Sequence, residues 1–386
     1  MVAGDTFTTG QELNRMRLLV LFAAGPGNTL SYQTGWPAQL VASRRFHARA
    51  VNLWRLSWAN TVSLAWDLWS GAYDGVAILH SAFSNADFLR KAHRILLRSK
   101  GLPTAYFVGN EYKLMPEKMA MCEELKVGLL ITMIADERSQ DLYRQRLGAK
   151  VVCIPSGGVD PVSFNPTRAL CEREIDIGYR AFDEPVYFMH NESRLIGDYF
   201  QQNGERLGLS TDISMDPTER YEVNDWACFL NRCRGQIGVE RGTDVFELTD
   251  ANRLTVNSLQ QDNPATTPAK IWSDLTRSTQ RAATGRMLTG RHTEAAACKC
   301  VQILFPGRYN DYLVADEHYI PIAKDFSNID EVVAKFRDDG YCNRMVNSAH
   351  ELVMSELSYS SLIGRFADAM DVAFGSRRTQ RTGGGR

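Results

Sequence analysis

Short, almost wholly apolar runs recur along the first half of this chain, and they restrict its fold more than any other feature. They occupy residues 16–24, 75–80, 103–108, 127–134 and 151–154, with helical patterns at 36–49 and 86–98 between them. A run of strand length with no polar alternation must be covered on both faces. That is the signature of parallel strands under helices rather than of an open antiparallel sheet. The first 150 or so residues therefore predict a doubly wound α/β domain.

The pattern breaks at 156–166, SGGVDPVSFNP, where glycine and proline mark a turn-rich connection. It then repeats. Strands are expected at 174–179, 209–214, 235–240, 300–305 and 319–321. Helices are expected at 192–207, 222–232, 291–298 and 330–338, the last capped by Asn328, with an inserted polar segment at 249–290 carrying one or two helices. A chain of 386 residues is long enough for two domains. The expected division is a Rossmann-like domain over 1–160, a second over 161–350, helices over 351–374 that cross back to the first domain, and a disordered basic tail over 375–386. Ligands of such domains sit at the C-terminal ends of the strands, so two in tandem form a cleft between those ends.

Charge and hydropathy remove several classes of function. Lys and Arg number 44 against 45 Asp and Glu, so no basic field exists to hold a nucleic-acid backbone. No segment approaches the ~20 apolar residues of a membrane helix, and no basic stretch precedes an apolar one at the N-terminus. A cytoplasmic protein without an integral membrane segment is expected, and a periplasmic-type binding protein is disfavoured. The eight cysteines form no CxxC pair and read as reduced core residues.

The segment 291–328 carries the most chemistry. Arg291 precedes Glu294-Ala295-Ala296-Ala297, and Gly307-Arg308-Tyr309 follows the next strand. His318-Tyr319-Ile320-Pro321 then leads to Asp325-Phe326-Ser327-Asn328. A glutamate in the first turn of a helix can accept hydrogen bonds from both hydroxyls of a ribose, and small residues let that helix lie close to the sheet. The helix N-terminus and the planar fork of Arg291 suit a diphosphate. The alternative is a plain Glu-Ala helix start. The segment resembles the donor-binding region of GT-B glycosyltransferases, in particular their family-1-like and spore-maturation-protein-like groups. It departs from the retaining members at position 286, where an arginine replaces the first of two glutamates spaced eight apart, and at Cys298-Lys299, where a glycine is usual.

The resemblance implies two Rossmann-like domains and transfer of a sugar, hexosyltransferase-like, from a nucleotide-diphosphate donor to a hydroxyl-type acceptor. The acceptor is a small molecule, a glycan or a protein, and the nucleotide sugar is a co-substrate with no further cofactor. Glu294 would hold the ribose. Arg291 and the loop of Gly242 and Thr243 would hold the diphosphate, with Arg180, Lys324 and Tyr309 also on the donor side. Asn28 and Asn110 would face the acceptor, and His80 and Glu111, both at strand ends, are the candidate general bases. Asp-x-Asp is absent, so no metal site is expected; helix dipoles and Arg or Lys would stabilise the leaving diphosphate. Two other readings stay open: a non-catalytic GT-B protein that binds a nucleotide or a partner, and a sugar-nucleotide epimerase.

Overall fold

A computed structural model describes residues 15–26, 30–276 and 283–382. In the first half β1 (Met16–Phe22), α1 (Ser31–Ala42), β2 (Phe46–Asn52), α2 (Trp58–Trp69), β3 (Gly75–Ile78), α3 (Lys91–Lys100), β4 (Thr104–Phe107), α4 (Met115–Leu125), β5 (Leu129–Thr132), α5 (Glu137–Leu147) and β6 (Lys150–Cys153) alternate. All six strands are parallel, in the order β2-β1-β3-β4-β5-β6. Every residue of β3, β4 and β5 is buried, as their unbroken apolar runs require. Local chemistry sets the ends of α5: Asp136 accepts from the Ser139 N–H, and Gly148 closes the helix in the left-handed conformation.

The second half repeats the plan with β7 (Ile175–Arg180), α6 (Glu192–Asn203), β8 (Thr211–Ser214), α7 (Val223–Arg232), β9 (Cys233–Gly238), α8 (Ala251–Asp262), α9 (Pro268–Thr276), α10 (Gly290–Ala297), β10 (Val301–Leu304), β11 (Ile320–Pro321), α11 (Ile329–Arg337), α12 (Asp339–Glu356) and α13 (Tyr359–Thr382). Its five parallel strands run in the order β11-β10-β9-β7-β8, which is the first sheet's topology less one strand. The two α/β domains of the sequence reading are both present.

Two parts of that reading are corrected. The stretch 36–49, read as one helix, contains the end of α1 and the start of β2. As an edge strand β2 keeps a half-polar sequence, FHARAVN, with Ala48, Ala50, Val51 and Asn52 half-buried, so the apolar-run criterion misses it. Helix α2 also had no counterpart, because its apolar residues lie on both faces.

The chain crosses between the halves twice, and the two crossings are tied together. Val159 N–H donates to the Leu357 carbonyl at 2.9 Å, and Tyr359 N–H donates to the Val159 carbonyl at 3.1 Å. Beyond them α13 lies on the first sheet, where Phe366 meets Phe46 and Phe107. The helix continues past Phe374 into the stretch expected to be a tail. Gly157 faces Gly290 so closely that a Cβ would lie 2.3 Å from the Gly290 Cα, so a glycine here lets the two halves touch.

Candidate functional site

Because all strands are parallel, each strand's following loop emerges on one edge of its sheet, and the two edges face each other. Between them lies a cleft of about 970 Å³. From the first half it is lined by Leu30, Ser31 and Tyr32 at the start of α1, His80 after β3, Gly109, Asn110 and Tyr112 after β4, Met133 after β5, and Ser156 after β6. From the second half come Phe182 after β7, Arg220, Arg241 and Gly242 after β9, and the segment Met287–Arg291 with Glu294. A side recess of about 480 Å³ continues from Ser31 and Glu294 to Arg180, Tyr221 and Trp226. In both sheets the strand order reverses at the first strand, and His80 and Arg241 follow the strands beside that reversal.

Glu294 sits in the second turn of α10, not the first, and is buried. Its carboxylate accepts from Ser31 Oγ at 2.5 Å and from Trp226 Nε1 at 2.8 Å, so it joins the two halves. Burial pushes its pKa up to about 7 against the pull of those two donors and of Arg291. Arg291 is held among other cations. Burial, then neighbouring Arg241, lowers it to about 10, and burial and Arg241 also lower Arg220. Among the described residues Arg291 has no carboxylate at ion-pair distance, and its guanidinium lies 5.9 Å from the Phe182 ring. Arg241 lies over the same ring and bonds Glu184 and Ser193 Oγ. Arg180 lines the recess, bonded to Asp212 Oδ1 at 2.6 Å and lying over Phe229. Guanidiniums that converge on one cleft wall, with Arg291 unpaired among the described residues, form a site for an anion with several oxygens.

On the opposite wall His80 is buried, with neither ring nitrogen hydrogen-bonded. It packs against Tyr32, Trp36 and Phe107, and burial lowers its pKa to about 3. Asn110 lines the cleft in a left-handed conformation, its Nδ2 donating to Asn85 Oδ1 at 2.7 Å. Lys118 fixes that loop by donating to the carbonyls of Gly109, Asn110 and Lys113.

Four expected site residues are not delivered to the cleft. Glu111 is buried away from it: Thr132 Oγ1, Tyr143 OH and Met133 N–H all donate to its carboxylate, at 2.6, 2.6 and 2.7 Å. It stitches β4 to β5 and α5 and has no free oxygen for a substrate proton. Tyr309 is wholly buried; its hydroxyl donates to the Phe305 carbonyl and its N–H to Glu240. Lys324 is bound to Glu192, which Arg286 also holds, and lines neither cavity. Thr243 borders a separate small pocket with Asp250 rather than the cleft, and its hydroxyl is buried with no hydrogen-bond partner among the described residues. Its neighbour Gly242 does reach the cleft, at φ +102°, where a Cβ would strike the Gly285 carbonyl. Asn28 lies outside the described residues.

Sequence reasoning missed Ser31, Tyr32, Phe182, Arg220, Arg241 and Trp226. Arg241 was within reach, since it lies three residues beyond the end of β9, where ligands of such sheets bind. Nothing local marks Arg220 or Trp226. Among the described residues no three His, Cys, Asp or Glu side chains gather as a metal-holding group, and no helix is long and apolar enough to cross a membrane.

No family model matches this chain, and no curated protein matches its sequence. Solved structures do resemble it. The DNA-modifying enzyme β-glucosyltransferase, solved with and without its substrate uridine diphosphoglucose, aligns with a TM-score of 0.51 at 9% identity, over 92% of this chain and 100% of its own. Alr3699/HepE from Anabaena, in complex with UDP and glucose, aligns at 0.49 and 10% identity over 93% and 100%. A glycosyltransferase from Rickettsia africae aligns at 0.48 and 9% over 94% and 99%. Together with the paired parallel sheets, the first of these establishes that the chain has the GT-B fold, two Rossmann-like domains facing each other across a cleft.

Proposed function

We propose that this protein is a glycosyltransferase that moves a sugar from a nucleotide-diphosphate donor to a hydroxyl-type acceptor without a metal ion. The observation that carries the reading is Arg291, a cation on the cleft wall with no carboxylate partner among the described residues, flanked by Arg220 and Arg241. A diphosphate supplies the missing negative charge. Residues 1–160 then act as the acceptor-side domain, 161–350 as the donor-side domain, and 351–374 return to the first.

Each residue has a derived task. Arg291, Arg241 and Arg220 hold the diphosphate and neutralise the charge that grows on it as the sugar leaves. Arg180, in the recess with Tyr221 and Trp226, fits the nucleoside end. Glu294 accepts from the ribose hydroxyls in exchange for Ser31 or Trp226. His80 is neutral at physiological pH and offers an unpaired nitrogen lone pair to the acceptor hydroxyl. A bound diphosphate raises its basicity through its negative charge. Asn110, and by the same analogy Asn28, orient the acceptor.

The non-catalytic reading has one observation in its favour. Position 286, where retaining relatives carry a glutamate, is an arginine engaged with Glu192 and Asp244. A thermal-shift panel of nucleotide diphosphates and their sugar conjugates tests both. A ligand at about 100 times its Kd adds roughly 2.7 kcal/mol of stability. The donor-site reading expects a shift selective for one nucleotide and lost in Glu294→Ala, and no shift with any nucleotide removes it. A selective shift with no sugar transfer or hydrolysis supports the non-catalytic reading. Transfer abolished by a chelator contradicts the metal-free scheme.

A further inference from the structure

The surface away from the cleft carries a feature that sugar transfer does not use. Helix α2 exposes Trp58, Val62, Trp66 and Trp69 at 81%, 59%, 64% and 67% of their full accessibility. Their spacing of four, four and three places them on one face, opposite Leu64 and Leu68, which are buried. Trp66 and Trp69 pack together at 5.3 Å, and α3, which lies against α2, adds Ile95, half exposed. Three exposed tryptophans on one helix have a large cost in water, and no element among the described residues covers them.

Their charged surroundings indicate what covers them. The acids nearby are each held by an arginine: Asp67 by Arg49, Asp74 by Arg17, Asp87 by Arg94. The bases are not so held. Arg55, Arg90, Lys91 and Arg98 are exposed, with no ion pair among the described residues, and Lys100 donates only to the Trp69 carbonyl. Residues 1–160 carry 18 Lys and Arg against 13 Asp and Glu, although the whole chain is near neutral. Tryptophan is suited to the boundary between headgroups and acyl chains, where its ring is apolar and its N–H stays wet. Unpaired cations around it suit anionic headgroups. A second copy of the chain would set one cationic rim against another. We infer that the α2–α3 face docks on an anionic lipid bilayer, with the tryptophans entering the headgroup boundary and Arg55, Arg90, Lys91 and Arg98 on the phosphates. Trp54, four residues before α2, lies against Gly25, in the loop between β1 and α1.

The test uses the full chain and vesicles of phosphatidylcholine with or without phosphatidylglycerol. Co-sedimentation is expected with the anionic vesicles, weakened by salt, and brominated acyl chains are expected to quench tryptophan emission. Joint replacement Trp58→Ser, Trp66→Ser and Trp69→Ser is expected to weaken binding at least about 30-fold, since each removes a large apolar side chain from the boundary. Lys91→Glu with Arg98→Glu keeps every tryptophan and is expected to weaken it about fivefold or more per site. Both variants are expected to melt with the parent and to keep the parent's nucleotide response, which separates this inference from the donor-site reading. The inference falls if the parent ignores anionic vesicles, if the tryptophan variant binds them as well as the parent, or if the parent instead forms a dimer that the tryptophan variant disperses.

Discussion

The two walls of the cleft differ in kind. The second-half wall holds Arg220, Arg241 and Arg291, with Arg180 in the adjoining recess, whereas the first-half wall is Tyr32, His80, Tyr112 and Met133, with no charged side chain among its lining residues. Both walls are built from the same kind of strand-end loop, so topology does not account for the difference. One wall is cationic and the other uncharged, which is the division the proposed transfer from a diphosphate donor to a hydroxyl acceptor requires. The contrast extends to the two buried glutamates. Glu111 spends its oxygens on Thr132, Tyr143 and Met133, all of its own domain, while Glu294 reaches across from Trp226 to Ser31 and borders both cavities.

Glu111→Ala leaves three buried donors without an acceptor and should lower stability by about 3 kcal/mol, read by denaturant unfolding, while nucleotide affinity stays unchanged. A stable variant that loses transfer would return Glu111 to the catalytic side. Arg291→Ala should weaken a nucleoside diphosphate about 30-fold by titration calorimetry, the worth of charge-assisted bonds to phosphate. The uncharged nucleoside should bind as before; equal loss for both would mean that Arg291 shapes the site rather than pairing with the anion.

Glu294 sharpens the contrast through pH. Its pKa in the folded protein, about 7, lies above the ordinary carboxylate value, so the fold favours the protonated form. Any stability from this group is full below the unfolded pKa and is lost as pH rises through about 7. Ribose binding has the opposite sign, because it needs the ionised acceptor. Nucleotide affinity should rise roughly tenfold between pH 6 and pH 8, and Glu294→Gln should flatten the profile; a slope that survives the substitution places the titration elsewhere. The smallest effect is expected at His80→Phe, which should change donor affinity by no more than about twofold, as for an independent site, while slowing transfer. A large loss of donor affinity would show that the two walls do not act separately.

The sheet architecture was legible because its cause is local. Strands such as GVAI and LLIT have no polar face and can exist only under helices on both sides. The exceptions have equally local reasons. Edge strand β2 is half-polar, and α2 presents tryptophans to the outside, so neither fits the rule that apolar means interior. The functional side chains were only partly legible. Arg291, Glu294, Gly242, His80 and Asn110 do line the cleft, because each follows or precedes a strand end that pattern alone could locate. Glu111 and Tyr309 occupy similar positions in the sequence and turn inward, since a rotamer and its hydrogen-bond partners, Tyr143 for one and Phe305 for the other, lie elsewhere in the chain.

By itself the sequence determined which unbroken apolar segments become buried parallel strands and which loops emerge at their ends, because hydrophobic period and turn chemistry act over a few residues. The tertiary structure alone decided which charges meet. Ser31 and Glu294 are 263 residues apart, yet share a hydrogen bond. Arg220, Arg241 and Arg291 come from three separate segments to one wall. Such meetings depend on how the two sheets face each other, a long-range property that no local pattern encodes.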